Sequence, residues 1–253
     1  MYEIVKFKDH QVSVNDVKEG DIHVRIRGNS YEDLFAAASV KEAWDAANAM
    51  NKTATAVLTI YCLIGQRSDR RFNKGGSFDL KVVANFINTM KYDKVRIFHP
   101  HSAISLALID NSEEISPLRF VKQAFESIED AVLVSPDAGA YKTTHAMAEQ
   151  LKADLIPSNK VRVKGIPQIQ IQGDVNQKNC LIVDDLADGG RTFKLLAENL
   201  KAQGAKKVYL YVTHAQFNYG ITALKDCIDH IYCTNSYKNI NDNFITQYSI
   251  EDI

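Results

Sequence analysis

The chain has 253 residues, 45% of them apolar and 24% charged, and its 30 Lys and Arg offset 31 Asp and Glu to a formal net charge of −1. That balance supplies no global field to draw a nucleic acid, and no apolar run reaches the ~18–20 residues that a bilayer-crossing helix needs. The length suits two α/β lobes better than one small domain.

In chain order, the opening residues predict short strands over 2–7, 12–14 and 22–26, with turns at Asp9 and His10 and at Glu19 and Gly20. Asn29 and Ser30 form a cap signal before a long helix over 31–50, rich in Ala and free of Gly and Pro. Trp44 falls in this helix and is expected in the core. The β-branched run 54–63 predicts a central strand. It enters a dense polar loop holding Arg67, Asp69, Arg70 and Arg71. A helix over 78–90 and a strand over 94–98 follow, the strand ending at His99 and His101. The stretch 110–115 is polar and predicts a turn or linker, so the lobes are expected to be 1–112 and 113–253.

The second lobe predicts helices over 118–128 and 141–152, with a strand over 131–134 between them. A basic segment, Asn159 to Gly165, is strand-like or mobile and precedes a strand over 168–172. Strands over 208–212, 231–233 and 244–247 close the chain. Strands alternate with helices almost throughout, which argues an α/β fold with mainly parallel sheets flanked by helices.

The run from Cys180 to Thr192 carries the most information. Leu181, Ile182 and Val183 form a continuous apolar stretch, as expected of a parallel strand covered on both faces. Asp184 and Asp185 stand at its carboxyl end, where open α/β sheets bind their ligands. A carboxylate pair suits a cis-diol, because each oxygen can accept a hydroxyl hydrogen bond. Gly189 and Gly190 allow close backbone approach to an anion. Thr192 is expected to cap the helix over 193–203, whose first free amides favour an anion. The order describes a pocket for a ribose carrying a phosphate. It resembles the phosphoribosyl diphosphate-binding motif of the type I phosphoribosyltransferase fold.

Other strand ends add complementary chemistry. The guanidinium groups of Arg67, Arg70 and Arg71 suit phosphate oxygens. Asp137 stands where a hydrated Mg²⁺ commonly finds a carboxylate, and His99 and His101 can add imidazole. Lys160 and Arg162, two apart, can serve one triphosphate. None of Cys62, Cys180, Cys227 and Cys233 forms a C-x-x-C pair. Reduced thiols and a cytoplasmic setting are expected, the more so because no secretory signal is visible.

Taken together, the segments resemble the ribose-phosphate pyrophosphokinase (phosphoribosyl diphosphate synthetase) family, collinearly over about nine-tenths of the chain. Arg67 to Arg71 is similar to the family's Arg-Gln-Asp-Arg, and Ser135 to Gly139 to its Ser-Pro-Asp-x-Gly. Gly173, Asp174 and Val175 match its Gly-Asp-Val. Thr213, His214 and Phe217 match Thr-His-x-x-Phe, and Lys160 and Arg162 match Lys-x-Arg. Phe7 and Asp9 resemble the Phe-Ser-Asp adenine hairpin.

Departures mark a shortened and divergent member. His99, Pro100, His101 and Ser102 stand for Asp-Leu-His-Ala, and Gln11 replaces a Glu. Arg191 occupies the position of a glycine in the phosphate loop.

The resemblance implies an Mg²⁺-dependent transfer of the β,γ-diphosphoryl group of ATP to the anomeric hydroxyl of ribose 5-phosphate. It implies Lys160 and Arg162 as catalytic cations. Phe7, Asp9, Gln11, Arg67, Asp69 and Arg70 would bind ATP, and His101, Asp137 and His99 the metal. Asp184, Asp185, Asp188, Gly189, Gly190, Arg191 and Thr192 would bind the ribose phosphate. A homo-oligomer is implied, with each adenine site completed by a neighbouring subunit, and neither nucleic acid nor membrane as partner. Three alternatives stay open: the same chemistry on a larger ester such as ADP-ribose, as in NAD salvage; base transfer by a phosphoribosyltransferase; and a non-catalytic regulatory subunit.

Overall fold

The computed structural model describes residues 2–9, 11–163, 166–251 and 253, and only the backbone of 160–163 and 166–168. His10, Lys164 and Gly165, which the sequence puts in a turn and in the basic segment, lie outside the described residues. The chain divides into two compact units, Met1–Ser116 and Pro117–Ile253.

The first unit opens with an antiparallel hairpin of β1 (Glu3–Lys6) and β2 (Val12–Asn15). A four-stranded parallel sheet follows in sequential order, β3 (Ile22–Ile26), β4 (Ala56–Ile60), β5 (Lys94–Phe98) and β6 (Ser112–Ile115). Helices α1 (Tyr31–Ala47), α2 (Asp79–Thr89) and α3 (Ile104–Leu108) join the strands. Helix α1 starts where Ser30 Oγ accepts the Asp33 N–H at 3.1 Å, with Glu32 and Asp33 in the positive first turn. Leu34, Ala37, Val40 and Trp44 recur at helical spacing and are buried with β4 and β5 in one core. Trp44 is 6% exposed, as expected, and its indole N–H donates to the Gly20 carbonyl at 2.7 Å, tying the helix to the loop before β3.

The second unit is a seven-stranded sheet in the order β13-β12-β11-β10-β7-β8-β9. Its strands are β7 (Ala131–Ser135), β8 (Leu155–Val163), β9 (Ile166–Ile171), β10 (Asn179–Ala187), β11 (Lys207–Ala215), β12 (His230–Thr234) and β13 (Ile245–Tyr248). Every pairing is parallel except β8 with β9. Helices α4 (Leu118–Glu126), α5 (Ala138–Leu151), α6 (Arg191–Ala202) and α7 (Thr222–Lys225) connect them. Cys180 to Val183 are all buried, the outcome of covering a central strand on both faces. The α/β class with mainly parallel sheets flanked by helices is therefore borne out.

Three expectations are corrected. The stretch 110–115 is not a linker: Ser112–Ile115 is edge strand β6. It looked polar because edge strands carry charge, and Glu113 here bonds Lys94 at 3.2 Å and Arg96 at 3.0 Å from the neighbouring strand. Helix α5 begins at Ala138, three residues early, because Asp137 caps it. Helix α6 is capped by Gly190 rather than Thr192: Gly190 has φ +69° and Thr192 already lies in the first turn.

Candidate functional site

The strand order of the second unit reverses between β7 and β10. From β7 the chain proceeds through α5 to β8 on one side, and from β10 through α6 to β11 on the other. Such a switch point opens a crevice at the carboxyl ends of the two strands. The last paired residues there are Val134 and Ile182. Just beyond them stand Asp137 on one side and Asp184 and Asp185 on the other.

The neighbouring carboxylates act on Asp184. Asp184 is half-buried, and its carboxyl is pushed well above the usual range. Loss of water around it is the main cause; the negative charges of Asp185 and, less strongly, Asp137 add to it. The Asp185 N–H, donating to Asp184 Oδ1 at 2.9 Å, partly opposes this. Asp137 Oδ1 accepts the amides of Gly139 (2.8 Å) and Ala140 (3.0 Å), which orients the carboxyl as the cap of α5.

A carboxyl whose proton affinity is raised by neighbouring acids fits a site that receives a cation or hydroxyl donors. Among the described residues no three His, Cys, Asp or Glu side chains form a ready-made metal cage.

After β10 the chain turns through Asp188, Gly189 and Gly190 into α6. Gly190 is needed twice over. Its φ of +69° disfavours other residues, and a Cβ there would stand 3.1 Å from the Leu224 side chain. Among the described residues no side chain caps α6, so its first amides, from Arg191 onward, suit an anion. Arg191 is exposed at the first helical position and Thr192 follows it. Asp188 Oδ1 accepts from Asn218 Nδ2 at 2.9 Å.

Beside this turn, β11 ends in a fully buried polar group. His214 Nδ1 and Ser236 Oγ are 2.9 Å apart, and the Ser236 and Thr234 hydroxyls donate to the Thr213 carbonyl at 3.0 and 2.7 Å. Lys160 and Arg162 lie on β8, opposite Ile169 and Pro167 of β9, so the basic segment has the backbone of an antiparallel ribbon. Their side chains lie outside the described residues.

The first unit carries the remaining candidates. Phe7 is 50% exposed at the hairpin end, where its N–H donates to the Gln11 carbonyl at 2.9 Å and Asp9 Oδ1 accepts the Gln11 N–H at 3.1 Å. The hairpin therefore gathers Phe7, Asp9 and Gln11. In the polar loop Arg67 and Arg70 are exposed and Asp69 is half-buried, 3.9 Å from Arg70 Nε. Arg70 lies over the Phe72 ring at 5.2 Å. Arg71 donates to the Gly76 carbonyl and so braces the loop.

Buried Gln66 joins this loop to the histidines, because its Oε1 accepts the His101 N–H at 3.1 Å. His101 is exposed. His99 is 4% exposed with φ +43°, and its N–H donates to the Ile115 carbonyl at 3.0 Å, as a residue built into the sheet edge would. Gln66, Asn218, Tyr219 and Ser236 were not singled out from sequence. Gln66 opens the polar loop already noted, and the Thr213, His214 and Phe217 pattern pointed at the neighbourhood of the other three.

Residues 126–243 match the family of the phosphoribosyl synthetase-associated domain. Ribose-phosphate pyrophosphokinase 2 of Schizosaccharomyces pombe is 30% identical over 224 residues, which is 83% of this chain and 68% of that protein. The ribose-phosphate pyrophosphokinase of Vibrio cholerae is 29% identical over 193 residues, 74% of this chain and 57% of its own. That of Thermococcus kodakarensis is 30% identical over 175 residues, 67% and 62%. The chain thus spans little more than half the length of some of these relatives. The crystal structure of phosphoribosylpyrophosphate synthetase from Mycobacterium smegmatis has the same fold, with a TM-score of 0.84 and 20% identity over 99% of this chain and 86% of that one.

Proposed function

The chain belongs to the ribose-phosphate pyrophosphokinase family, and we propose that it transfers the β,γ-diphosphoryl group of ATP to the anomeric hydroxyl of ribose 5-phosphate, releasing AMP. One observation carries the reading: Asp184, crowded by Asp185 and Asp137, and a helix start that no side chain caps among the described residues share the switch point of the second unit. The acids suit a diol and a cation; the helix start suits a phosphate.

In this reading Asp184 and Asp185 accept hydrogen bonds from the ribose hydroxyls. The turn Asp188, Gly189, Gly190, Arg191 and Thr192 holds the 5-phosphate. Arg67, Asp69 and Arg70 orient the ATP phosphates, and Phe7, Asp9 and Gln11 face the adenine of a neighbouring copy. Lys160 and Arg162 neutralise charge that develops on the transferring phosphorus, the kind of work that dominates phosphoryl transfer. Asp137 in the second unit and His101 in the first would be the residues to hold Mg²⁺, which would supply charge neutralisation to the phosphates. His99 is a weaker candidate for it because of its burial.

A homo-oligomer and a cytoplasmic setting belong to the same proposal. Four buried cysteines with no disulfide between them support the latter. Among the described residues no helix is long and apolar enough to cross a membrane.

A second reading keeps the chemistry and enlarges the acceptor to an ester such as ADP-ribose. The exposed Arg191 at the phosphate turn favours it, because it can meet a second phosphate. The purified chain, given ATP and Mg²⁺, is expected to release AMP when ribose 5-phosphate is added. Release with ADP-ribose alone moves the conclusion to the second reading, and release with neither removes both.

A further inference from the structure

The turn assigned to the acceptor phosphate is tied to the segment that follows β11. The Ala187 carbonyl accepts two amides at once, from Gln216 at 2.9 Å and Phe217 at 3.0 Å. Asp188 is bonded to Asn218. A Cβ added at Gly189 would stand 3.5 Å from Tyr219 Cδ2, and one added at Gly190 would stand 3.1 Å from the Leu224 side chain. Each residue from Ala187 to Gly190 therefore meets the segment that follows β11.

That segment is itself held in an uncommon form. Phe217 has φ +42°, rare for an aromatic residue, while its side chain is 6% exposed in the core. The Gly220 N–H closes the turn onto the Phe217 carbonyl at 3.0 Å. A backbone in such a region persists only where its surroundings over-determine it.

Asp188 poses an electrostatic difficulty. A carboxylate in a turn that receives a phosphate repels it unless the side chain is turned aside. The Asn218 amide engages one carboxyl oxygen and shares its charge. Tyr219 is 84% exposed, so packing in the core does not account for its position on Gly189. We propose that Asn218 and Tyr219 are positioning residues for the acceptor-phosphate turn, Asn218 holding the Asp188 carboxylate aside and Tyr219 bracing Gly189. They act through the turn and do not touch the reacting atoms. The inference rests on assigning 188–192 to the acceptor phosphate.

Two measurements on the whole chain test it. Hydrogen–deuterium exchange follows the ligand-free amides, and calorimetric titration follows ribose 5-phosphate and ATP separately. In Asn218→Ala the amides of 187–191 exchange faster while those of β10 and β11 do not change. Ribose 5-phosphate binds about tenfold more weakly, as expected for losing a bond to a charged group, and ATP affinity stays within about twofold. Tyr219→Phe keeps the ring and matches the parent chain; Tyr219→Ala loosens the same amides. Unchanged exchange over 187–191, or equal weakening of both ligands, overturns the proposal. A parent chain that binds no ribose 5-phosphate defeats the substrate assignment instead, and the exchange experiment still decides the positioning role.

Discussion

The Asp185 N–H donates to Asp184 Oδ1 at 2.9 Å, folding one carboxyl back onto its neighbour's backbone inside β10, two residues before its last one. The bond favours charge on Asp184. Desolvation and the charges of Asp185 and Asp137 disfavour it more strongly, so the carboxyl keeps its proton well above the ordinary range. A bound cation or the hydroxyls of a ribose would relieve the conflict. Without them it is a local cost of a kind common at functional sites.

The first prediction follows from the sign of that shift. Above the ordinary aspartate value and up to the raised one, the folded chain holds a proton that the unfolded chain has lost. Stability therefore falls as pH rises through this window. Asp184→Asn removes the titration. Its Tm without ligand is expected to equal or exceed that of the parent at neutral pH, with a flatter pH dependence, while ribose 5-phosphate binding weakens by roughly tenfold or more, the worth of one charge-assisted bond. A variant less stable than the parent at every pH, by thermal denaturation, contradicts this.

Gly190→Ala forces a left-handed backbone on an L-residue and drives a methyl toward Leu224. The expected loss is about 1–2 kcal/mol from the backbone alone, with weaker ribose 5-phosphate binding because the start of α6 shifts. Denaturant titration and calorimetry check both. A variant that keeps stability and affinity would mean that the turn has no need of this geometry.

Ser236→Ala removes a hydroxyl that joins His214 to the Thr213 carbonyl inside a region with no exposed surface. Leaving buried polar atoms short of a partner costs about 1–3 kcal/mol. Urea denaturation is expected to show a loss of that size with an unchanged m-value. No loss would mean that the group is satisfied some other way.

Much of this was legible in the sequence, for a physical reason. A central parallel strand is buried on both faces, so β10 shows as an uninterrupted apolar run from Leu181 to Val183, and the acidic glycine turn after it stands out. Other features were hidden because polar residues there do structural work. Edge strand β6 resembles a linker because its glutamates pair with Lys94 and Arg96 on the next strand. Asn218 and Tyr219 resemble any polar turn until the contact with Asp188 and Gly189 is visible. The cap of α6 was misassigned because a threonine near a helix start is the commoner cap, and here a left-handed glycine takes the place.

Lys160 and Arg162 are assigned by the family motif and by their places two apart on β8. Lys160→Ala and Arg162→Ala should each lower turnover by roughly a hundredfold or more, the scale for removing a group that stabilises developing charge. Ribose 5-phosphate affinity should change little. Steady-state kinetics with near-normal turnover in both variants would remove the catalytic assignment.

Phosphorus NMR on the purified chain with ATP, Mg²⁺ and ribose 5-phosphate is the most direct test. The account predicts the ATP resonances giving way to AMP and to a diphosphate bonded to the anomeric carbon, in equal amounts. ADP with a singly phosphorylated sugar, or an ATP spectrum that ribose 5-phosphate leaves unchanged, would contradict it.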